Sequence, residues 1–477
     1  MINLHYPTLD VFFYELRASL GDDDTKIQQH AESFMRHCGL CAEDTELKRI
    51  FLKQNQSHGE HNDVDLFGDK QIKAFSQDNR YQGYYYPQRL NDVYALLVDC
   101  SIENSETEPC TTDDLSWLQG LKDIVQAKLG DYESQKIIGA TWMLSFAIPA
   151  AIETKHYDKI AASCCQKLLP EISCQQSVVG KGEFLNGYLF EYWHYDPSTE
   201  ERHHLIIGIY PDKNTIETLA AYYDEFINLF HYRHKILWAY RQSVDLKQSL
   251  IAAIPEVRRC RKEVKTVSGA EFNIPEVERT LAIAREKQFD YAEELRLLID
   301  QKHTIDINLH NYQQRLQRIR QKSEAQLISL DDIAKLAENR YSLQIQKDYD
   351  NLSPELDLLD KLVMHIHVSI GLQKEQRDRK FIQRIEIFGL VFALGAIIVA
   401  TSGNFPINSP DDALNHPIGN FLFEYLYIPK EWLKASILIT LSIIGAIVLT
   451  SLILLLLYTF RTLKTVTMAI FKKMFGK

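Results

Sequence analysis

Hydrophobic residues are spaced in two different ways along the chain, and the change from one to the other divides it. In the first half, residues 92–102, 136–146, 187–194 and 203–210 are rich in β-branched and aromatic side chains and flanked by turn residues, which predicts strands. Residues 8–19, 24–38, 115–129, 157–169 and 215–251 instead carry apolar positions three and four apart, which predicts amphipathic helices. The mixture implies an α/β or α+β domain over residues 1–256. The first 90 residues are the least regular part of it, and 54–78 reads as a polar loop.

Beyond that domain the period is helical. Val277, Leu281, Ala284, Tyr291, Leu295 and Leu298 share one helix face; Leu309, Tyr312, Leu316 and Ile319, then Leu330, Ile333 and Leu336, share others within 308–348. Helical hairpins at the base of the domain are the expected arrangement. At Asn351-Leu352-Ser353-Pro354-Glu355 a new helix is expected to start, with Ser353 as cap, Pro354 in the first turn and an acid beside it. No proline follows until after Ser402, so an unbroken helix of 49 residues would be about 73 Å long. Leu359, Leu362, Val363, Ile366, Val368, Ile370 and Leu372 make it apolar on more than one side, which suggests packing among several subunits. Residues 257–380 thus read as a helical stalk.

Two apolar segments follow. Residues 387–402 are sixteen without a charge, and they reach spanning length if the preceding turn, with Arg384 and Glu386, enters the headgroup region. Residues 435–460 are twenty-six without a charge, enough to cross a ~30 Å core with tilt. The expected layout is a first transmembrane helix over 381–402, an external loop over 403–431, a second transmembrane helix over 432–460 and a basic tail over 461–477. Lys374, Arg377, Arg379, Lys380 and Arg384 precede the first span, and Arg461, Lys464, Lys472, Lys473 and Lys477 follow the second. The loop between them holds only Lys430, so both termini are expected in the cytoplasm, with the tail on the lipids of the inner leaflet.

Composition narrows the class. The 477 residues carry a formal net charge of −11, which disfavours direct nucleic-acid binding; the short basic run Arg258-Arg259-Cys260-Arg261-Lys262 reads as a solvated face. Eight cysteines are too sparse for a disulfide scaffold, and the opening MINLHYPTLD lacks a signal-peptide pattern. A reduced, cytosolic body on the inner membrane of a prokaryotic cell is the expectation.

Candidate chemistry is sparse. No G-x-S-x-G, H-E-x-x-H or phosphate-loop spacing occurs, Val179-Gly180-Lys181-Gly182 included, so neither an enzyme nor a cofactor is expected. His37-Cys38-Gly39-Leu40-Cys41 would need Cys164, Cys165 or Cys174 to complete a zinc site, and two ordinary thiols explain it as well. His58-Gly59-Glu60-His61 with Asp63 and Asp65 offers either metal ligands or a solvated loop, and the metal question stays open. His231 and His234 lie three apart on a helix, while His365 and His367 straddle one. Arg80, Tyr84 and Tyr86 either stack and neutralise a small nucleotide or belong to a tyrosine-rich strand with wet edges.

The order of α/β domain, helices, one long helix into the membrane, loop, second span and basic tail resembles the CorA family of divalent-cation channels. That family carries Gly-Met-Asn at the outer end of its first span; here the place reads Thr401-Ser402-Gly403-Asn404-Phe405, without the methionine and with a longer loop. The resemblance implies a pore-mouth ring of Gly403 and Asn404, a homo-oligomer of four or more subunits, and either cation transport or, as in divergent relatives of this layout, a nucleotide-activated pore of antiviral defence. The first span would line the pore, with an apolar constriction at Leu390, Leu394 and Ile398 that wets on opening. A tethered sensor or scaffold that conducts nothing is the rival reading, favoured by the few polar residues within the spans.

Overall fold

The computed structural model describes residues 2–18, 23–56, 63–102, 110–130, 137–149, 152–170, 178–195, 202–267, 274–401, 407 and 409–475. The chain divides into two units: Met1–Glu271 with Pro275–Asp360, and Phe272–Ile274 with Lys361–Lys477.

The first unit is built on a nine-stranded mixed sheet in the order β2-β4-β5-β1-β6-β9-β8-β7, with β3 also pairing β4. The strands are β1 (His5–Leu16), β2 (Asp63–Asp65), β3 (Lys73–Gln77), β4 (Tyr81–Leu90), β5 (Val93–Ile102), β6 (Ile137–Ala147), β7 (Val178–Phe184), β8 (Gly187–Tyr195) and β9 (Arg202–Tyr210). Only β6 and β9 run parallel; the other pairings are antiparallel. Helices α1 (Asp24–His37), α2 (Thr45–Gln56), α3 (Ser116–Leu129) and α4 (Tyr157–Leu168) fill the connections, and α5 (Lys213–Leu219) and α6 (Tyr223–Val267) follow the last strand.

The strands expected at 92–102, 136–146, 187–194 and 203–210 are present, as are the helices at 24–38, 115–129 and 157–169. The helix expected at 8–19 is instead the strand β1, at the centre of the sheet. Leu9, Val11 and Phe13 enter the core shared with Phe34, Leu118 and Ile160, whereas Phe12 and Tyr14 meet α6 on the other side. A strand buried on both faces has no polar alternation, so its continuous apolar run also matches helical spacing. The polar loop expected over 54–78 contains the short strands β2 and β3.

The helix expected over 215–251 is divided into α5 and α6, and α6 continues through Pro255 to Val267. The next two expected helices are joined differently: α7 runs unbroken over Ile274–Ser323, and the break falls at 324–327, where Glu324 and Leu327 take positive φ. A 3₁₀ turn, α8 (Asp332–Leu336) and one π-helical turn at Ala337–Tyr341 lead into α9 (Ser342–Thr401). Ser353 and Pro354 therefore do not start a helix; they lie inside one. The N–H lost at Pro354 is offset by the burial of Leu352 and Leu359, by the Tyr291 hydroxyl donating to the Leu352 carbonyl at 3.0 Å, and by Glu355 receiving both Arg258 and Arg261. Those two arginines of the basic run thus serve ion pairing within the unit.

In the second unit, α10 (Pro410–Asn415) and α11 (Pro417–Leu426) each begin with proline, and both pack on α12 (Lys430–Phe475). Ser409 and Asp412 form a reciprocal capping box at the start of α10. Ile407, Ala413, Leu422, Leu433 and Ile437 form a small core of their own.

Candidate functional site

The face of the sheet that meets α6 is unusually polar for an interior. Its alternating positions place Asp10, Phe12 and Tyr14 of β1, Tyr84 and Tyr86 of β4, Asp99 of β5, Thr141 of β6, Glu191 of β8 and His204 of β9 on one side. A chain of hydrogen bonds crosses it. Thr141 Oγ1 lies 2.8 Å from both His204 Nδ1 and His234 Nε2, and His204 Nε2 lies 3.1 Å from Glu191 Oε1. Arg233 Nε approaches the same Glu191 oxygen at 3.9 Å, and all five side chains are buried.

Glycine makes room for this chain: a Cβ at position 139 would stand 2.3 Å from His234 Nδ1. Burial pushes the Glu191 carboxyl up to about 7, against the pull of Arg233, and pushes His204 well below the usual imidazole range. His231, one turn from His234, has neither ring nitrogen hydrogen-bonded, and burial drives it down to about 3. His231 and His234 are therefore interior residues of a docked helix, and only His234 belongs to the hydrogen-bonded chain.

The other sequence candidates separate. Tyr84 and Tyr86 share the polar face, but their neighbours are acidic: Tyr86 donates to Asp65 at 2.7 Å, and the charges of Asp99, Asp10 and Asp224, after burial, raise the Tyr84 phenol. Arg80 lies over the ring of Tyr81, 5.7 Å from its centroid, and Tyr81 and Tyr85 pack in the core on the opposite face.

His37 Nδ1 meets the Leu129 carbonyl at 2.8 Å, Cys38 is buried, and the exposed Cys41 thiol donates to Asp44, which also pairs with Lys73. Cys164 is free and Cys165 is disulfide-bonded. His58, Glu60 and His61 lie outside the described residues. Among the described residues no three His, Cys, Asp or Glu side chains converge as metal ligands. Lys181 of the Gly-Lys-Gly turn is on β7 and pairs with Asp158.

One helix among the described residues is long and apolar enough to cross a membrane, Lys430–Leu452, with a mean hydropathy of 2.3. Two such helices were expected. The other expected span, at 387–402, is helical to Thr401 as the end of α9, and most of its side chains lie outside the described residues. Leu390 is exposed; the side chains of Leu394 and Ile398, and all of Gly403 and Asn404, lie outside the described residues. Around these positions large apolar side chains face outward, Phe392 at 77% and Trp432 at 65% exposure among them.

Sequence reasoning missed Asp10, Asp99, Thr141, Glu191, His204 and Arg233. The available signal was a carboxylate within an apolar strand, as in Leu9-Asp10-Val11 and Val98-Asp99-Cys100. Set against protein-family models, curated proteins and solved structures, the chain matches none.

Proposed function

We propose that the protein is an oligomeric membrane channel or pore whose α/β unit controls its opening. The observation that supports this most directly is the outward-facing apolar surface of the second unit, with Phe388, Phe392, Trp432, Ile443 and Ile447 all exposed. Water does not tolerate so large an apolar surface, whereas lipid and neighbouring subunits cover it. In this reading α9, which contains residues of both units, links the α/β unit to the first span at 381–402. The protein sits in an inner membrane with both termini in the cytoplasm, as a ring of four or more copies, because one or two copies with two spans each cannot enclose a pore.

The test is ion flux through liposomes holding the purified protein, with its oligomeric mass measured in the same detergent. A ring that conducts supports the channel; Mg²⁺ flux without a trigger assigns it to CorA-like transport, and flux only with an added nucleotide assigns it to a defence pore. Leu394→Asp is expected to make the ring leak, since a charge at an apolar constriction keeps it wet. Unchanged flux in that variant rejects the pore lining. The second reading, a tethered sensor that conducts nothing, is favoured by the few polar residues within residues 387–402 and 435–460, and a tight monomer or dimer would select it.

A further inference from the structure

The polar face of the sheet holds two carboxylates that the His204–Glu191 chain does not use. Asp10 of β1 and Asp99 of β5 are direct cross-strand partners, both buried. On the same side Glu191 meets Arg233, Asp224 meets Lys70 and Glu225 meets Arg315. Among the described residues, no ion pair joins a cation to Asp10 or Asp99.

Three buried oxygens at this place also lack partners. Asp10 Oδ2 accepts from the Tyr223 hydroxyl at 2.7 Å, but its Oδ1 accepts nothing. The Tyr210 hydroxyl, which senses the charge of Asp10, and Ser145 Oγ, on the residue paired with Thr8 two positions from Asp10, are also unpaired. Tyr210 and Ser145 are fully buried. Asp10 and Asp99 also hydrogen-bond to each other, and Ser101 to Asp99, so the pair has partners but no counter-charge, and such a pair in an interior either holds protons or meets a cation.

We propose that Asp10, Asp99 and Tyr210, beside the half-buried residues Tyr84 and Tyr223, bind the protonated amino group of a small organic amine. An ammonium has three N–H donors and no acceptor, which matches a set of oxygens with unfilled lone pairs. The phenol rings of Tyr84 and Tyr223 beside the pair suit the rest of a cation. The absence of three converging His, Cys, Asp or Glu ligands among the described residues argues against a metal as the partner. Without ligand, burial raises both carboxyls, Asp99 to about 7 and Asp10 further through the charge of Asp99. The titratable groups around them are Tyr84 from β4, Cys100 from β5, Tyr210 from β9, and Tyr223 and Asp224 from α6, and Lys70 is held by Asp224. Amine binding therefore displaces protons and tightens as pH rises from 6 to 8. The inference does not depend on the membrane reading.

Titration calorimetry of the full chain in detergent tests it, with ethylammonium, putrescine and spermidine as probes against KCl and MgCl₂ at matched ionic strength. The expected result is saturable binding of at least one amine with proton release, weakened tenfold or more in both Asp99→Asn and Tyr210→Phe. Tyr210→Phe removes one oxygen only and keeps the test open should Asp99→Asn fail to fold. No saturable amine binding, binding unchanged in the variants, or binding of K⁺ or Mg²⁺ alone would overturn the proposal.

Discussion

His204 Nε2 and Glu191 Oε1 stand 3.1 Å apart on adjacent strands, both closed to solvent, and the direction of the hydrogen bond between them is set by which one holds a proton. With Glu191 ionised and His204 neutral, His204 donates to the carboxylate, Thr141 donates to His204 Nδ1, and His234 donates to Thr141. A proton on Glu191 allows the whole chain to reverse.

The pair makes stability depend on pH in two opposing ways. The Glu191 carboxyl is raised in the folded state, so its contribution is complete below its ordinary value of 4.5 and is lost as pH rises towards about 7. His204 is lowered, so its contribution is complete above 6.5 and is lost as pH falls below that value. Glu191→Gln is expected to remove the first arm. Chemical denaturation at pH 5 to 8 should show the variant gaining on the wild type as pH rises; parallel curves would mean the carboxyl titrates normally.

Thr141→Val takes the shared hydroxyl away from two buried imidazoles and should cost about 1–3 kcal/mol. Thr141→Ser keeps the hydroxyl and should recover most of that loss. A valine variant as stable as the wild type in urea melts would show that the histidines find other partners.

On α12, Ile443 and Ile447 face outward one turn apart within the apolar helix Lys430–Leu452. Lysine near the middle of a spanning helix costs on the order of 3 kcal/mol per residue, so Ile443→Lys with Ile447→Lys should stop this helix from crossing and leave the span at 381–402 as the anchor, which moves a tag placed after Lys477 to the other side of the membrane. Unchanged protease accessibility of that tag in sealed vesicles would show that this helix is not a span.

Much of this protein was legible in its sequence because the physics involved is local. Strands β5, β6, β8 and β9 declare themselves by β-branched and aromatic runs between turn residues, and α12 by a charge-free stretch longer than soluble helices carry. Other features depended on what each segment packs against. Strand β1 has the spacing of a helix and is a strand because β5 and β6 bond its edges while helices cover both faces. Pro354 has the sequence context of a helix start and sits inside α9 because Tyr291, Arg258 and Arg261 hold that turn in place from other helices. The pairing of Asp10 with Asp99, and of His204 with Glu191, joins residues 89 and 13 positions apart. A sequence records that such side chains exist, but their shared burial, and with it their altered protonation, comes only from strand register and the helix that closes over it.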